Sequence, residues 1–512
     1  MLKVEIKKNA YYDSVTLMLV TDEIKKIEGV EEALVGMGTD TNKSFLKDLE
    51  MLTPEIEEAG PNDLIIAVKG KESVINEVFK KVEELLKSET KETSEEYVAA
   101  HSIDEALSML PDANMVLISI AGEYAGYEAD KALERGLNVM LFSDNVPLEE
   151  EINLKKKALK KGLLVMGPDC GTAIINGVPL AFSNVVRRGN IGIVAASGTG
   201  AQEVSSIITN LGAGISQLIG TGGRDVKKEV GGLMFLEGIR RLIEDDETEI
   251  IVLVSKPPDP EVTKKAVELI KKSGKPGVVH FVNGNVEEKD VVVGKTLEDT
   301  AIKAYLLWKG EKIKKDVYTL LEFMNIDINK LLEQEKSKVS GKYIRGLYSG
   351  GTLADEAMVL LTNEIGPVWS PTPLDPAYTL DDPNESKEHT IVDMGDDVFT
   401  RGRPHPMIDF TMRKERLIKE YNDPEVAIIL VDVVLGYGSH MNPGAEIAEA
   451  IERAKESSEK YTSVIVNICG TYNDPQNYEK QKNILENSGA IVFPSNASAV
   501  NFAIKLYKEL RS

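Results

Sequence analysis

Two short runs of serine, threonine and glycine, far apart in the chain, could bind one phosphate group together. Each follows an apolar, strand-like segment and precedes residues with helical spacing, so each is expected at the start of a helix. Backbone N–H groups at a helix start lack partners within the helix and attract anions. An ordinary capped helix is the alternative for either run alone. The predicted phosphate-binding residues are Ser197, Gly198, Thr199 and Gly200 in the first run and Ser349, Gly350, Gly351 and Thr352 in the second.

Residues that follow two other predicted strands could hold a substrate. Open α/β sheets bind ligands at the carboxyl ends of their strands, glycine lets a ligand approach the backbone, and arginine can bind a carboxylate or phosphate with two hydrogen bonds. For Cys170, a structural thiol is weighed above a nucleophile, because no histidine lies nearby in the sequence. For Arg224, a surface arginine in a turn is an equal alternative. The predicted substrate-binding residues in these turns are Gly167, Asp169, Cys170, Gly222, Gly223 and Arg224.

A loop at residues 393–409 combines two arginines, one histidine and four acidic residues within seventeen positions. Because loops often carry functional side chains, Arg401 and Arg403 are predicted to bind a substrate or partner. His405 in this loop, and His440 after a later strand, are candidate catalytic general acids or bases, since imidazole titrates near neutral pH. A hydrogen-bonded structural histidine is the alternative for each.

The composition sets outer limits on the function. With 512 residues, of which 42% are hydrophobic and 28% charged, the chain should fold into three or four soluble domains. A formal net charge of −23 argues against nucleic acid as a partner. No apolar run reaches the roughly 18 residues that predict a membrane span. Two cysteines, Cys170 and Cys469, without metal-binding spacing and without a signal peptide, favour a cytoplasmic protein that has no metal site.

The positions of the predicted strands and helices indicate a multidomain α/β fold. The order of elements near the N-terminus suggests a ferredoxin-like βαββαβ arrangement, followed by a polar linker at 88–96. Later segments alternate strand and helix, as parallel sheets require. The predicted segments are a small α+β domain at 1–90, a Rossmann-like domain at 97–185, flavodoxin-like domains at 186–310 and 341–512, and a helical linker at 311–340.

Several motifs resemble those of succinyl-CoA synthetase. Residues 102–305 resemble its α subunit, and residues 341–512 resemble the C-terminal ligase domain of its β subunit. The whole chain is similar to the FdrA family. The α-subunit-like motifs are Gly167-Pro168-Asp169-Cys170, Gly192-Ile193-Val194-Ala195-Ala196-Ser197-Gly198-Thr199 and Gly220-Thr221-Gly222-Gly223. The FdrA-like segments are Tyr12-Asp13-Ser14, Gly36-Met37-Gly38-Thr39-Asp40 and Gly402-Arg403-Pro404-His405-Pro406-Met407.

These resemblances imply roles for whole segments. The Rossmann-like domain at 97–185 would be of the CoA-binding type, and the two flavodoxin-like domains would be ligase domains. In the synthetase, one helix from each subunit faces the phosphate. In this chain the corresponding helices would span 197–211 and 349–361.

Departures from the synthetase pattern shape the expected activity. The phosphorylated histidine of the synthetase has no counterpart in residues 283–289. Residues 1–90 are too few for its ATP-grasp half, and no P-loop replaces that half. The glycine-rich start of the α subunit is also missing, so CoA is left open rather than expected. The sequence therefore favours acyl or carbamoyl transfer between a phosphate and a carboxylate or amide acceptor.

The FdrA resemblance implies a specific version of this activity. The chain would be a subunit of an oxamate carbamoyltransferase in allantoin breakdown, with carbamoyl phosphate or phosphate as substrate. It would work in an oligomer with other protein subunits. One alternative is an acyl-CoA synthetase of the succinate–CoA ligase type, which needs a phosphorylatable histidine. The other is a metabolite-binding subunit without catalytic activity.

Overall fold

The computed structural model describes residues 1–8, 10, 12, 14–27, 29–49, 51–88, 100–284, 286, 291–314, 316–324, 326–401 and 403–511. Asp13, Gly402, residues 89–96 of the predicted linker and part of the 283–289 segment lie outside the described residues. No helix within these described ranges is long and apolar enough to span a membrane. The chain forms two compact units, of which the first is Met1–Asn114, Ser119–Ala121 and Phe399–Pro404 and the second is Met115–Ile118, Gly122–Val398 and His405–Ser512.

The first unit is a small α+β structure. Its elements are β1 (Leu2–Lys7), α1 (Ser14–Lys25), β2 (Val30–Met37), α2 (Asp40–Asp48), α3 (Pro54–Glu57), β3 (Leu64–Gly70), α4 (Glu72–Ser88) and α5 (Ile103–Met109). The strands form an antiparallel sheet in the order β1-β3-β2. Successive side chains of the central β3 point to opposite faces, so Ile66 and Val68 pack in one apolar cluster and Ile65 and Ala67 in another. The fourth strand of the predicted βαββαβ order would follow α4, where residues 89–99 lie outside the described part.

The second unit begins with a short parallel sheet. Its elements are β4 (Met115–Ile118), α6 (Gly122–Glu134), β5 (Asn138–Leu141), α7 (Leu148–Lys161) and β6 (Val165–Met166). The strands lie side by side in chain order, with helices as crossovers. Three acidic residues open α7 and two lysines close it, which suits the helix dipole, and Gly162 ends it with φ 69°.

The next sheet has the predicted flavodoxin-like plan. Its elements are β7 (Thr172–Ile175), β8 (Val178–Ala181), β9 (Arg188–Ala196), α8 (Gly198–Asn210), β10 (Ile215–Gly220), α9 (Leu233–Glu244), β11 (Ile250–Ser255), α10 (Pro260–Ser273), β12 (Gly277–Phe281), β13 (Val292–Val293) and α11 (Leu297–Trp308). Its parallel strands lie in the order β10-β9-β11-β12-β13, which is the flavodoxin order. The β7–β8 hairpin comes from the predicted 97–185 segment but pairs antiparallel with β10, covering an edge that would otherwise be open.

The C-terminal part of the second unit repeats this plan. The linker contributes α12 (Leu320–Phe323) and α13 (Ile328–Lys336). The elements that follow are β14 (Tyr343–Tyr348), α14 (Gly351–Ile365), β15 (Thr390–Asp393), α15 (Asp397–Thr400), whose last two residues belong to the first unit, α16 (Thr411–Asn422), β16 (Val426–Val434), α17 (Pro443–Ser457), β17 (Ser463–Cys469), α18 (Tyr478–Asn487), β18 (Ile491–Phe493) and α19 (Asn496–Glu509). The sheet order β15-β14-β16-β17-β18 is again the flavodoxin order. The predicted multidomain α/β fold class is confirmed.

Four helices join the two flavodoxin-like domains. Helices α8 and α11 of the first domain pack against α14 and α19 of the second. Their apolar faces share one core cluster, to which Val204, Ile302, Leu353 and Val500 each contribute a side chain from a different helix. This packing places the start of α8 and the start of α14 at the same end of the helix layer.

Candidate functional site

The structure brings the two predicted phosphate-binding runs into contact. Ser197 Oγ lies 2.7 Å from Thr352 Oγ1, and both side chains are buried. On the other side of the same contact, a Cβ at Gly350 would fall 2.7 to 2.9 Å from three atoms of Thr199. The cap residue of each helix therefore contacts a threonine in the first turn of the other helix. Because Thr199 lies so close to Gly350, a larger residue at position 350 would clash with it.

Helix α8 begins with a serine cap. Ser197 has extended backbone angles, and its Oγ accepts a hydrogen bond from Gly200 N at 3.1 Å. A Cβ at Gly200 would lie 2.2 Å from this Oγ, so a larger residue would displace the cap. The N–H groups of Gly198 and Thr199 precede the first intrahelical bond and can donate to an anion.

Helix α14 begins differently, because an internal carboxylate already occupies part of its N-terminus. Asp432, fully buried in β16, accepts hydrogen bonds from Ser349 N at 2.8 Å and from Gly350 N at 2.9 Å. Its charge is balanced by Arg413, whose Nη2 donates to Asp432 Oδ1 at 2.7 Å. The N–H groups left for a ligand at this helix are those that follow Gly350.

A cleft of about 210 Å³ opens at the two helix starts. Its walls come from the carboxyl ends of strands in both flavodoxin-like domains, where open α/β sheets bind ligands. Of the predicted phosphate-binding residues, the lining includes Ser197, Gly198, Thr199, Ser349, Gly351 and Thr352. Of the other predicted residues, it includes Asp169, Cys170, Gly222, Gly223 and His405.

Some predicted site residues lie near the cleft but do not line it. Gly200 and Gly350 sit beneath the two helix starts, as described above. Gly167 has φ 109°, and a Cβ there would lie 2.2 Å from Leu141 O. Arg224 donates from Nη2 to Val146 O at 2.7 Å and forms an ion pair with Glu151 at 3.0 Å.

The remaining predicted residues lie elsewhere. His440 accepts a hydrogen bond from Asn442 N at Nδ1, and its ring lies against Phe410 at a centroid distance of 5.7 Å. Arg401 and Arg403 belong to the first unit, where the Arg403 guanidinium lies 5.9 Å from the centre of the Phe45 ring. These three residues therefore make no contribution to the lining of the cleft.

One wall of the cleft is acidic. Burial raises the pKa of Asp169 to about 6, with a further contribution from Asp144. Burial also raises the pKa of Asp393 to about 7, although Lys256 opposes this shift. Burial alone would lower the pKa of Lys256, but Asp355, whose carboxylate is 2.9 Å away, and the other two acids together raise it. Near neutral pH the cleft therefore holds one ammonium group and two carboxyl groups close to their titration points.

His405 faces the cleft as a neutral imidazole. Burial, with help from the charge of Arg413, lowers the pKa of His405 to about 4. Its Nδ1 accepts a hydrogen bond from Met407 N at 3.2 Å, so the ring proton lies on Nε2. The Phe182 ring packs on its side at 5.4 Å. This arrangement suits donation of a hydrogen bond to an anion better than acceptance of a proton.

Two other residues that could form covalent intermediates are poorly placed for it. Burial raises the pKa of the Cys170 thiol to about 12, and the thiol points to Thr172 O at 3.6 Å. His280 is buried within β12, donates from Nδ1 to Gly294 O, and does not line the cleft. No group of three His, Cys, Asp or Glu side chains suited to a metal ion occurs among the described residues.

Four important residues were not predicted individually from the sequence, although Asp393 begins the loop at residues 393–409 that was expected to bind a ligand or partner. Asp432 has a signal, since it is the one charged residue in the apolar run Val426–Val434. Lys256 directly follows strand β11, and Asp393 is the last residue of strand β15. Both therefore stand at the carboxyl end of a strand, where open α/β sheets bind ligands. Arg413 lies within a helix rich in charged side chains, and nothing in its spacing distinguishes it from its neighbours.

Comparison with known proteins agrees with this architecture. Family models match three segments: "AllF, heavy metal-associated domain" at residues 1–102, "CoA binding domain" at residues 186–284 and "CoA-ligase" at residues 347–506. The CoA-binding match falls on the first flavodoxin-like domain. The two flavodoxin-like domains that border the cleft are thus similar, one to CoA-binding domains and the other to CoA-ligase domains.

The chain belongs to the family of the uncharacterized protein YahF of Escherichia coli (strain K12). The two are 45% identical over 504 residues, which cover 97% of each chain. The chain is also 30% identical over 179 residues to the succinate–CoA ligase (ADP-forming) subunit alpha 2 of Archaeoglobus fulgidus, covering 34% of this chain and 60% of that subunit. The matches to the CoA-ligase model and to the succinate–CoA ligase subunit favour the acyl-CoA alternative over the carbamoyltransferase hypothesis.

Among solved structures, PH0766 from Pyrococcus horikoshii OT3 is similar at 16% identity and a TM-score of 0.32. The match covers 81% of this chain and 87% of that one. A similarity of this size carries no functional conclusion.

Proposed function

We propose that the cleft binds the phosphate of an acyl phosphate and that the chain catalyses acyl transfer between this phosphate and an acceptor, as an enzyme of the CoA-ligase class. One observation carries the proposal: Ser197 and Thr352 touch at 2.7 Å, so two helix starts border one small cleft. The family matches support an acyl-CoA product. The cleft volume is below the roughly 300 Å³ at which pockets for drug-sized ligands begin, so only the thiol end of CoA would enter it.

The described side chains suggest how the transfer would proceed. The acceptor attacks the carbonyl carbon, the C–O bond to the phosphate breaks, and phosphate leaves with the electron pair. The N–H groups of Gly198 and Thr199, the Nε2–H of His405 and the Lys256 ammonium would stabilise the charge that develops on the departing phosphate. Asp393, with a pKa of about 7, would take the proton that the acceptor loses.

A second version has its own support. The acidic wall offers the carboxyl oxygens of Asp169 and Asp393 as hydrogen-bond acceptors. An acyl phosphate that carries an amino group on its carbonyl, such as carbamoyl phosphate, could donate to them, whereas acetyl or succinyl phosphate could not. This favours carbamoyl transfer to an amide acceptor such as oxamate, in line with the FdrA resemblance.

One set of experiments tests both versions. Calorimetric titration of the purified chain with inorganic phosphate should show binding, and S197A should weaken it at least tenfold. Phosphate release should then be measured with acetyl phosphate and CoA, and in parallel with carbamoyl phosphate and oxamate. Turnover of the first pair supports the acyl-CoA version, and turnover of the second supports the carbamoyl version. Absence of phosphate binding would contradict the proposal in either form.

A further inference from the structure

Each of the two cleft helices carries a buried glutamate one turn beyond its cleft threonine. Glu203 follows Thr199 by four residues on α8, and Glu356 follows Thr352 by four residues on α14. Side chains four residues apart lie on the same face of a helix. Glu203 and Glu356 are 1% and 3% exposed, and neither lines the cleft. They therefore lie below it, within the helix layer that joins the two flavodoxin-like domains.

The two glutamates form reciprocal hydrogen bonds between these domains. Glu203 Oε1 accepts from Asn496 N, at the start of α19 in the opposite domain, at 2.8 Å. Glu356 Oε1 accepts from Leu297 N, at the start of α11 in the opposite domain, at 2.7 Å. Its Oε2 also accepts from Asn496 Nδ2 at 2.8 Å. Each cleft helix thus satisfies an N–H group at the start of the last helix of the other domain, a group with no partner of its own within that helix.

This exchange has the same two-fold pattern as the contacts in the cleft. There, Ser197 meets Thr352 and Gly350 meets Thr199. Any sliding of α8 along α14 would break contacts at both levels at once. Burial raises the pKa of Glu203 to about 8, and a protonated carboxyl keeps an oxygen that can accept from Asn496 N. Glutamine is therefore a close replacement at position 203.

We propose that Glu203 and Glu356 are positioning residues that set the distance between the two helix starts of the cleft. The test of this role by phosphate binding rests on the proposed function. A second readout, cross-linking across the cleft, needs no ligand. The two readouts therefore separate a failure of this inference from a failure of the proposed function.

The cross-linking experiment uses S197C and T352C combined in the full-length chain. The replaced hydroxyl oxygens lie 2.7 Å apart, so a disulfide should form readily on oxidation with diamide, followed by mass spectrometry. Adding E203A should slow its formation at least tenfold, whereas E203Q should change the rate less than threefold. If E203A does not fold, E203D, which is one methylene too short to reach Asn496 N, provides the same comparison. An unchanged rate in E203A or in a folded E203D would overturn the inference.

The matched control is E335A. Glu335 is also buried, at 4% exposure, but it accepts from Ser463 Oγ on strand β17 and lies on neither cleft helix. Its loss should lower the unfolding temperature and leave the cross-linking rate within threefold. An effect of E335A as large as that of E203A would mean that general loss of stability explains the result, and would overturn the inference.

The ligand readout uses inorganic phosphate and the two natural residues at positions 197 and 352. E203A should weaken phosphate binding at least tenfold, while E203Q and E335A should stay within threefold of the unaltered protein. Equal affinity in E203A and the unaltered protein would overturn the positioning role. If the unaltered protein binds no phosphate, the proposed function fails and the cross-linking rates alone decide the inference.

Discussion

Replacing Thr352 by valine should separate ligand binding from folding at the cleft. Valine has nearly the shape of threonine but lacks Oγ1, which lies 2.7 Å from Ser197 Oγ. Loss of this hydroxyl–hydroxyl bond should cost about 1 kcal/mol of folding free energy. Ser197 keeps its other bond, to Gly200 N, so α8 keeps its cap. A hydrogen bond to a charged ligand contributes about 1.5–3 kcal/mol, so phosphate should bind roughly 10- to 150-fold more weakly.

Calorimetry with inorganic phosphate and thermal unfolding measure these two effects. T209V is the matched control, because Thr209 is a buried threonine at the far end of α8 and lies outside the cleft lining. It should bind phosphate as the unaltered protein does. A folded T352V protein with phosphate affinity within twofold of the unaltered protein would refute the idea that both helix starts contact the anion.

Three further predictions concern charge, space and thiol reactivity in the same region. Because burial raises the pKa of Asp393 to about 7, the stability that its protonation contributes is present below about pH 4 and is lost as the pH rises through 7. D393N should therefore raise the unfolding temperature relative to the unaltered protein at pH 8.5, and should raise it much less at pH 5. The charge of sulfate does not change over this range, so sulfate binding should weaken above pH 7 in the unaltered protein but not in D393N. A pH-independent difference would contradict the assigned pKa. G351A should weaken phosphate binding at least tenfold in calorimetry, because the added Cβ would lie 2.5 Å from Asp393 Oδ2 at the cleft wall; unchanged affinity would mean that the anion lies elsewhere. Burial raises the pKa of both Cys170 and Cys469, so neither thiol should react with Ellman's reagent at pH 8 until the protein is unfolded, and rapid reaction of either would contradict its burial.

The fold and the centre of the cleft follow from local sequence patterns. The alternation of strand and helix expected in residues 341–512 is present, because most of its strands are largely apolar segments bounded by polar or turn residues. The small-residue turns after β9 and β14 were recognisable for the same reason. A parallel sheet places such turns at its own carboxyl edge. Because β9 and β14 belong to different sheets, only the resemblance to succinyl-CoA synthetase implied that the two turns would approach each other.

The contacts that the charged residues around the cleft make could not be predicted in this way. Asp432 reaches the start of α14 from a strand 83 residues further along the chain, and Arg413 reaches Asp432 from a helix. Both contacts depend on how the elements pack, which no spacing within one segment reveals. Arg401 and Arg403 were expected to bind a substrate or partner because their loop is rich in charged residues. The density of charge does not reveal that this part of the loop packs with the first unit and does not line the cleft.

The pairing of β7 with β10 was hidden for a related reason. The turn at residues 167–171 reads as the end of a Rossmann-like segment, and the short strands after it carry no sign of their partner. Only the open edge of the following sheet decides where they pair. Topology between neighbouring domains is thus less visible in the sequence than topology within one.

Both helices that border the cleft belong to one polypeptide, and this has a consequence for assays. A cleft shared by two separate chains empties on dilution below their dissociation constant. Here the linker that contains α12 and α13 holds the two domains at a high effective concentration, whatever the amount of protein in solution. Phosphate affinity per chain should therefore be the same at nanomolar and micromolar protein.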